Sequence, residues 1–78
     1  MRSKYIIVEQ MGMEAAVVFT PLLLHKDVAG TSHVKSAGYC ELDVKGNVIV
    51  GGKSSSLNCG ARQQDVKLLK ELLCPVKS

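Results

Sequence analysis

Tryptophan is absent, and Tyr5, Phe19 and Tyr39 are the only aromatic residues in the chain. The core must therefore be aliphatic. All three aromatics lie in the first half, while most of the basic residues lie in the second. That separation counts against a nucleic-acid partner, because a single-strand reader stacks bases on aromatics set among cations. Long hydrophobic runs are missing too. The longest, residues 15–24, is broken by Thr20 and Pro21, well short of the ~20 apolar residues that cross a bilayer. Near the N-terminus Arg2 and Lys4 precede an apolar Tyr5–Val8, but Glu9 ends that run before it reaches secretory length. The expectation is a cytoplasmic protein with no membrane partner.

Cysteine is scarce and odd in number: Cys40, Cys59 and Cys74, widely spaced and with no C-x-x-C. A disulfide framework shows an even count, so three free thiols are expected. His25, His33, Cys40 and Cys59 include none of the close ligand pairs of a zinc site. No metal and no cofactor are expected.

What is present describes a small folded domain. The 78 residues are 46% hydrophobic and 22% charged, ordinary globular usage, and make one domain over 1–78 with one core. Net stability at this size is roughly 4–12 kcal/mol. Charge is uneven. Residues 1–44 hold four basic and five acidic side chains, residues 45–78 six basic and two acidic, so the second half alone sits at +4 and the first at −1, for a net +3. Such asymmetry points to anionic partners.

Hydrophobic patterning predicts an α+β fold. Lys4–Gln10 and Glu14–Thr20 read as strands, rich in β-branched and aromatic residues and joined by Met11-Gly12-Met13 into a hairpin. Both are apolar almost throughout rather than alternating, which predicts cover on both faces, by the protein's own helix and by a second subunit. A homo-oligomer is therefore expected. Leu22–Ala29 reads as a short helix stopped by Gly30, with His25 and Asp27 on its polar side. Val34–Val44 returns to strand, with Val34, Tyr39, Leu42 and Val44 inward and Gly38 marking a bulge or a close backbone approach. Lys45-Gly46-Asn47 turns into Val48–Val50, completing a second hairpin. Residues 51–60 read as loop or as an edge strand. Arg62–Leu73 is an amphipathic helix with Val66, Leu69, Leu72 and Leu73 on one stripe, Leu68 at its border, and Pro75 ending it. The predicted architecture is a four-stranded, mainly antiparallel sheet of two β-hairpins, a short helix between them and a C-terminal helix.

The loop before the last helix holds the candidate site: Gly52, Lys53, Ser54, Ser56, Gly60, Ala61 and Arg62. Glycines let several N–H groups converge, the serines offer hydroxyls, and Lys53 and Arg62 offer charge. A helix starting near Ala61 would aim its positive end at the same place. That is a cradle for an anionic small molecule such as a nucleotide; the competing reading is a connecting loop with solvated cations. Gly52-Lys53-Ser54 is not a Walker A terminus, because that motif needs glycine where Asn47 stands. No catalytic constellation is legible, so an enzyme is not expected. His25 and His33 neighbour no nucleophile, and the carboxylates are scattered.

Ser36-Ala37-Gly38-Tyr39, Gly52-x-Ser54-x-Ser56-Leu57 and Arg62-x-x-Asp65 running into Leu68 and Leu69 together resemble a group of small uncharacterised proteins of temperate bacteriophages and prophages. The resemblance covers residues 36–73. Members carry serine just before the arginine, a good helix cap, where this chain has Ala61. The cap must then come from Asn58 or a bound anion, or else the helix start is shifted. The resemblance supplies no activity. It implies a setting in the host cytoplasm, where small phage proteins bind a host protein or sequester a nucleotide signal of host immunity. The reading from sequence is thus a phage-type, non-catalytic, oligomeric binding protein for a phosphate-bearing small molecule. The alternatives are a protein-interaction module that inhibits a host protein through a sheet edge or the Lys67/Lys70 helix face, and a prophage protein with a transcriptional or structural role.

Overall fold

The strand β1 (Ser3–Gln10) lies inside the sheet with Tyr5, Ile6, Ile7 and Val8 all buried, so both of its faces are covered. A computed structural model describes residues 2–73. β1 pairs antiparallel with β2 (Met13–Phe19) on one side and β3 (His33–Leu42) on the other, and β3 pairs with β4 (Val48–Gly51). The result is a four-stranded antiparallel sheet of order β2-β1-β3-β4. The first hairpin turns on two residues rather than three: Met11 and Gly12 take φ of 54° and 78°, the pair of positive values a type I′ turn requires. At the second, Asp43 Oδ1 accepts from the N–H groups of Lys45 and Asn47.

Each face of the sheet carries its own cover. On one, α2 (Asp65–Leu73) lays Leu69, fully buried, with Val66, Leu68 and Leu73 against Tyr5, Ile7, Cys40 and Val48. The helix is rolled slightly from the predicted stripe: Leu68 packs inward while Leu72 stays half exposed. On the other face, α1 (His25–Ala29) and a hairpin of two-residue strands, β5 (Lys53–Ser54) and β6 (Cys59–Gly60), cover Ile6, Val8 and Ala37. The layers thus run α2, sheet, then α1 with the β5–β6 hairpin.

Three expectations need correction. α1 begins at His25, because Pro21–Leu24 is taken up by a turn in which Leu23 N–H donates to the Thr20 carbonyl. His25 is buried at 4% exposure rather than facing water; its Nε2 lies 2.9 Å from the Gly38 carbonyl, and its ring sits edge-on between Phe19 and Tyr39. A carbonyl can only accept, so Nε2 carries the proton. In β3 the buried residues are Ser36, Ala37, Gly38 and Cys40, whereas Leu42 and Val44 are exposed. Leu42 stands at the rim of that face, lining a surface cavity with Leu73 of α2, and Val44 is part of the turn. Glycine stands at 38 because other backbone comes close. A Cβ on Gly38 would lie 2.7 Å from the Gly51 carbonyl oxygen, the close approach that glycine implied. The bulge lies elsewhere, with Lys35 looped out opposite the Ile7–Val8 step. Cys40 and Cys59 are free thiols, both with pKa pushed up by burial; Cys74 and Pro75 lie outside the described residues.

Candidate functional site

Of the seven residues read from the sequence, three line a cleft, three are engaged elsewhere, and Ser56 is not on the cleft lining but bonds to Ser54 within the hairpin turn. Lys53, Ser54 and Gly60 line a cleft of about 300 Å³ on the β5–β6 hairpin, together with Ser55, Asn58 and Cys59. The hairpin closes through Lys53 pairing with Gly60 and Ser54 with Cys59. Its turn is held from inside. Ser54 Oγ, nearly buried, accepts from the Leu57 N–H at 3.2 Å and shares a 3.1 Å hydrogen bond with Ser56 Oγ. Asn58 takes a φ of 56°, a conformation asparagine tolerates better than most residues. Leu57 and Cys59 anchor the hairpin to the core, leaving Lys53, Ser55 and Asn58 exposed.

Gly52, Ala61 and Arg62 are engaged elsewhere. Gly52, at φ 74°, lies so close to Tyr39 that a Cβ would fall 2.8 Å from its ring, and its carbonyl accepts from the Ala61 N–H at 3.1 Å. That amide is therefore occupied rather than free to hold an anion. Ala61 packs on the core. Arg62 Nη2 donates to Glu14 on β2 at 2.9 Å, while its Nε donates to Asp65 Oδ1 at 2.9 Å and Nη2 lies 2.8 Å from the same oxygen in an ion pair.

Asp65 is the residue that sequence reasoning missed. It is fully buried and accepts the Tyr5 hydroxyl at 2.6 Å and the Arg62 backbone N–H at 2.9 Å. α2 thus starts at Asp65 rather than at the expected Arg62, after a turn in which the Asp65 N–H donates to the Arg62 carbonyl, and the Asp65 carboxylate reaches back to the Arg62 N–H as one half of a capping box does. The signal was present as Arg62-x-x-Asp65. Burial works against the Asp65 charge, but the hydrogen bonds from Tyr5 and Arg62 outweigh it and hold its pKa below the ordinary carboxylate value. Tyr5 is pushed far above the usual phenol value, first by burial and then by its bond to Asp65. Ser36 Oγ is buried near Asp65 but outside hydrogen-bonding geometry. This Tyr5–Asp65–Arg62–Glu14 chain ties β1, β2 and α2 together and leaves Arg62 no uncompensated charge.

Chemically, the cleft offers one ammonium, hydroxyls and an amide, with no carboxylate among its lining residues. Lys53 makes no ion pair among the described residues. His33 stands 4.0 Å from Glu9 on the surface, far along the chain from any hydroxyl or thiol of the cleft. Among the described residues no three His, Cys, Asp or Glu side chains are grouped to share a metal ion, and no helix is long and apolar enough to cross a membrane. No protein-family model, no curated protein and no solved structure matches this chain.

Proposed function

We propose that this protein is a non-catalytic binding protein whose β5–β6 cleft holds a small phosphate-bearing anion, nucleotide-like in size. The observation that carries the reading is a cleft whose Lys53 makes no ion pair among the described residues and whose lining residues include no carboxylate. Its volume, about 300 Å³, falls at the low end of small-molecule sites. Ser55 and Asn58 supply neutral donors beside the ammonium, the mixture that orients a phosphate. The resemblance of residues 36–73 to temperate-phage proteins supplies a setting, in which the chain sequesters a nucleotide signal of host defence. Arg62 has no part in this site.

Calorimetric titration against mono-, di- and cyclic nucleotides at moderate salt tests the reading. At least one nucleotide should bind below about 100 μM. Lys53→Ala should weaken it about ten- to a hundred-fold, the loss of one charge-assisted hydrogen bond. If none binds the wild type below about 100 μM, the hairpin is only a connection. A second reading, a protein-interaction module, then takes first place. It is favoured by the exposure of Met11, Met13, Leu22, Leu23 and Leu24, more apolar surface than scattered single residues explain.

A further inference from the structure

The sheet ends on two unlike edges. β4 is a short strand of four residues that closes on Gly51, one of the ways proteins blunt an edge. β2 has no such protection. Its seven residues, Met-Glu-Ala-Ala-Val-Val-Phe, pair with β1 in unbroken register, and it holds no lysine, proline or bulge. The two-residue turn makes Gln10 and Met13 the first mutually hydrogen-bonded pair. Alternation then aims the backbone groups of Met13, Ala15, Val17 and Phe19 at β1, and those of Glu14, Ala16 and Val18 outward.

We propose that this edge pairs with the β2 of a second copy, antiparallel about a two-fold axis at Ala16, to form a continuous eight-stranded sheet. The register is self-complementary. Centred on Ala16, it sets Ala16 against Ala16 and Glu14 against Val18, which are the outward-pointing positions, and Ala15 against Val17 and Met13 against Phe19. No carboxylate faces another. The smallest side chain on the outward-bonding positions sits on the axis, and β2 lacks any free charge that a charged partner would match. Its one acid, Glu14, is held by Arg62 of its own chain. On β2 itself Met13 is 74% and Val17 37% exposed, and the segment that follows it in the chain exposes Leu22, Leu23 and Leu24 at 92%, 46% and 48%. Covering these residues adds apolar burial to the backbone pairing, toward the ~800 Å² per partner of a standard stable interface. The edge is two strands away from β3, on which the cleft hairpin packs, so the dimer stands independently of the ligand reading.

Light scattering behind a sizing column tests the pairing by mass. The wild type at micromolar concentration should weigh twice 8.4 kDa. Ala16→Pro removes the one N–H on the axis without touching a bond to β1 and should weaken dimerisation at least about a hundred-fold, since two buried carbonyls lose their donor. Should that variant fail to fold, Ala15→Lys decides: its side chain is exposed, and it sets a charge against Val17 of the second copy. A folded Ala15→Lys monomer supports the pairing. A wild type that stays monomeric at about 100 μM, or a dimer indifferent to Ala15→Lys, overturns it.

Discussion

Replacing Asp65 with alanine removes, in one step, the acceptor for the Tyr5 hydroxyl, the cap on the Arg62 N–H and two guanidinium bonds. Asp65 is 0% exposed, so water cannot substitute for the lost carboxylate. The Tyr5 hydroxyl, also buried, is left without an acceptor, a cost of about 1–3 kcal/mol. The lost cap costs a further ~1 kcal/mol. The guanidinium, 26% exposed, keeps Glu14 as its partner, so it is not left as an uncompensated buried charge. We therefore expect Asp65→Ala to lower stability by about 2–4 kcal/mol, a large share of the roughly 4–12 kcal/mol available at this length. Tyr5→Phe deletes one hydrogen bond to a charged group and should cost about 1.5–3 kcal/mol. Glu14→Gln loosens a pair whose side chains are 26% and 29% exposed, which solvent screens to about 1 kcal/mol or less. Urea unfolding followed by circular dichroism gives all three values. An Asp65→Ala variant within about 1 kcal/mol of wild type would refute the reasoning, as would a Glu14→Gln cost equal to that of Asp65→Ala.

The pH dependence follows from the same groups. Asp65 has a lowered pKa in the fold, so its contribution is complete above the unfolded value of about 3.9 and is lost as pH falls through the folded one. Tyr5 is raised, so its contribution is present below about pH 10 and is lost as pH rises beyond. Urea midpoints measured across pH should fall at both ends, with Asp65→Asn flattening the acid limb and Tyr5→Phe the alkaline one. Met11 occupies a left-handed turn position with its side chain fully exposed. Met11→Asn should raise stability by about 1 kcal/mol in the same assay, since asparagine accepts that conformation and methionine resists it.

The strands and the last helix were legible because their signals are local. Tyr5–Val8 is an unbroken β-forming run, and Val66, Leu69 and Leu73 recur at helical spacing. What escaped depended on what lies opposite. Ser36-Ala37-Gly38 reads as weak strand until Gly51 and Ala61 are seen pressed against Gly38. A histidine on the polar side of a short helix gives no sign that Phe19 and Tyr39 will enclose it. The candidate site was half legible for the same reason. The lysine, serines and glycines of residues 52–60 fold into one hairpin, so adjacency in sequence became adjacency in space. Arg62 is next to them in sequence but is claimed by Glu14, 48 positions away.

The cleft reading is tested most directly by amide chemical-shift mapping of the labelled protein during titration with the nucleotide panel. We expect saturating shifts at Lys53, Ser54, Ser55, Asn58 and Gly60, with the amides of Arg62 and Asp65 unmoved. Shifts centred on Arg62 and the start of α2, or no saturating shift at any amide, would contradict it.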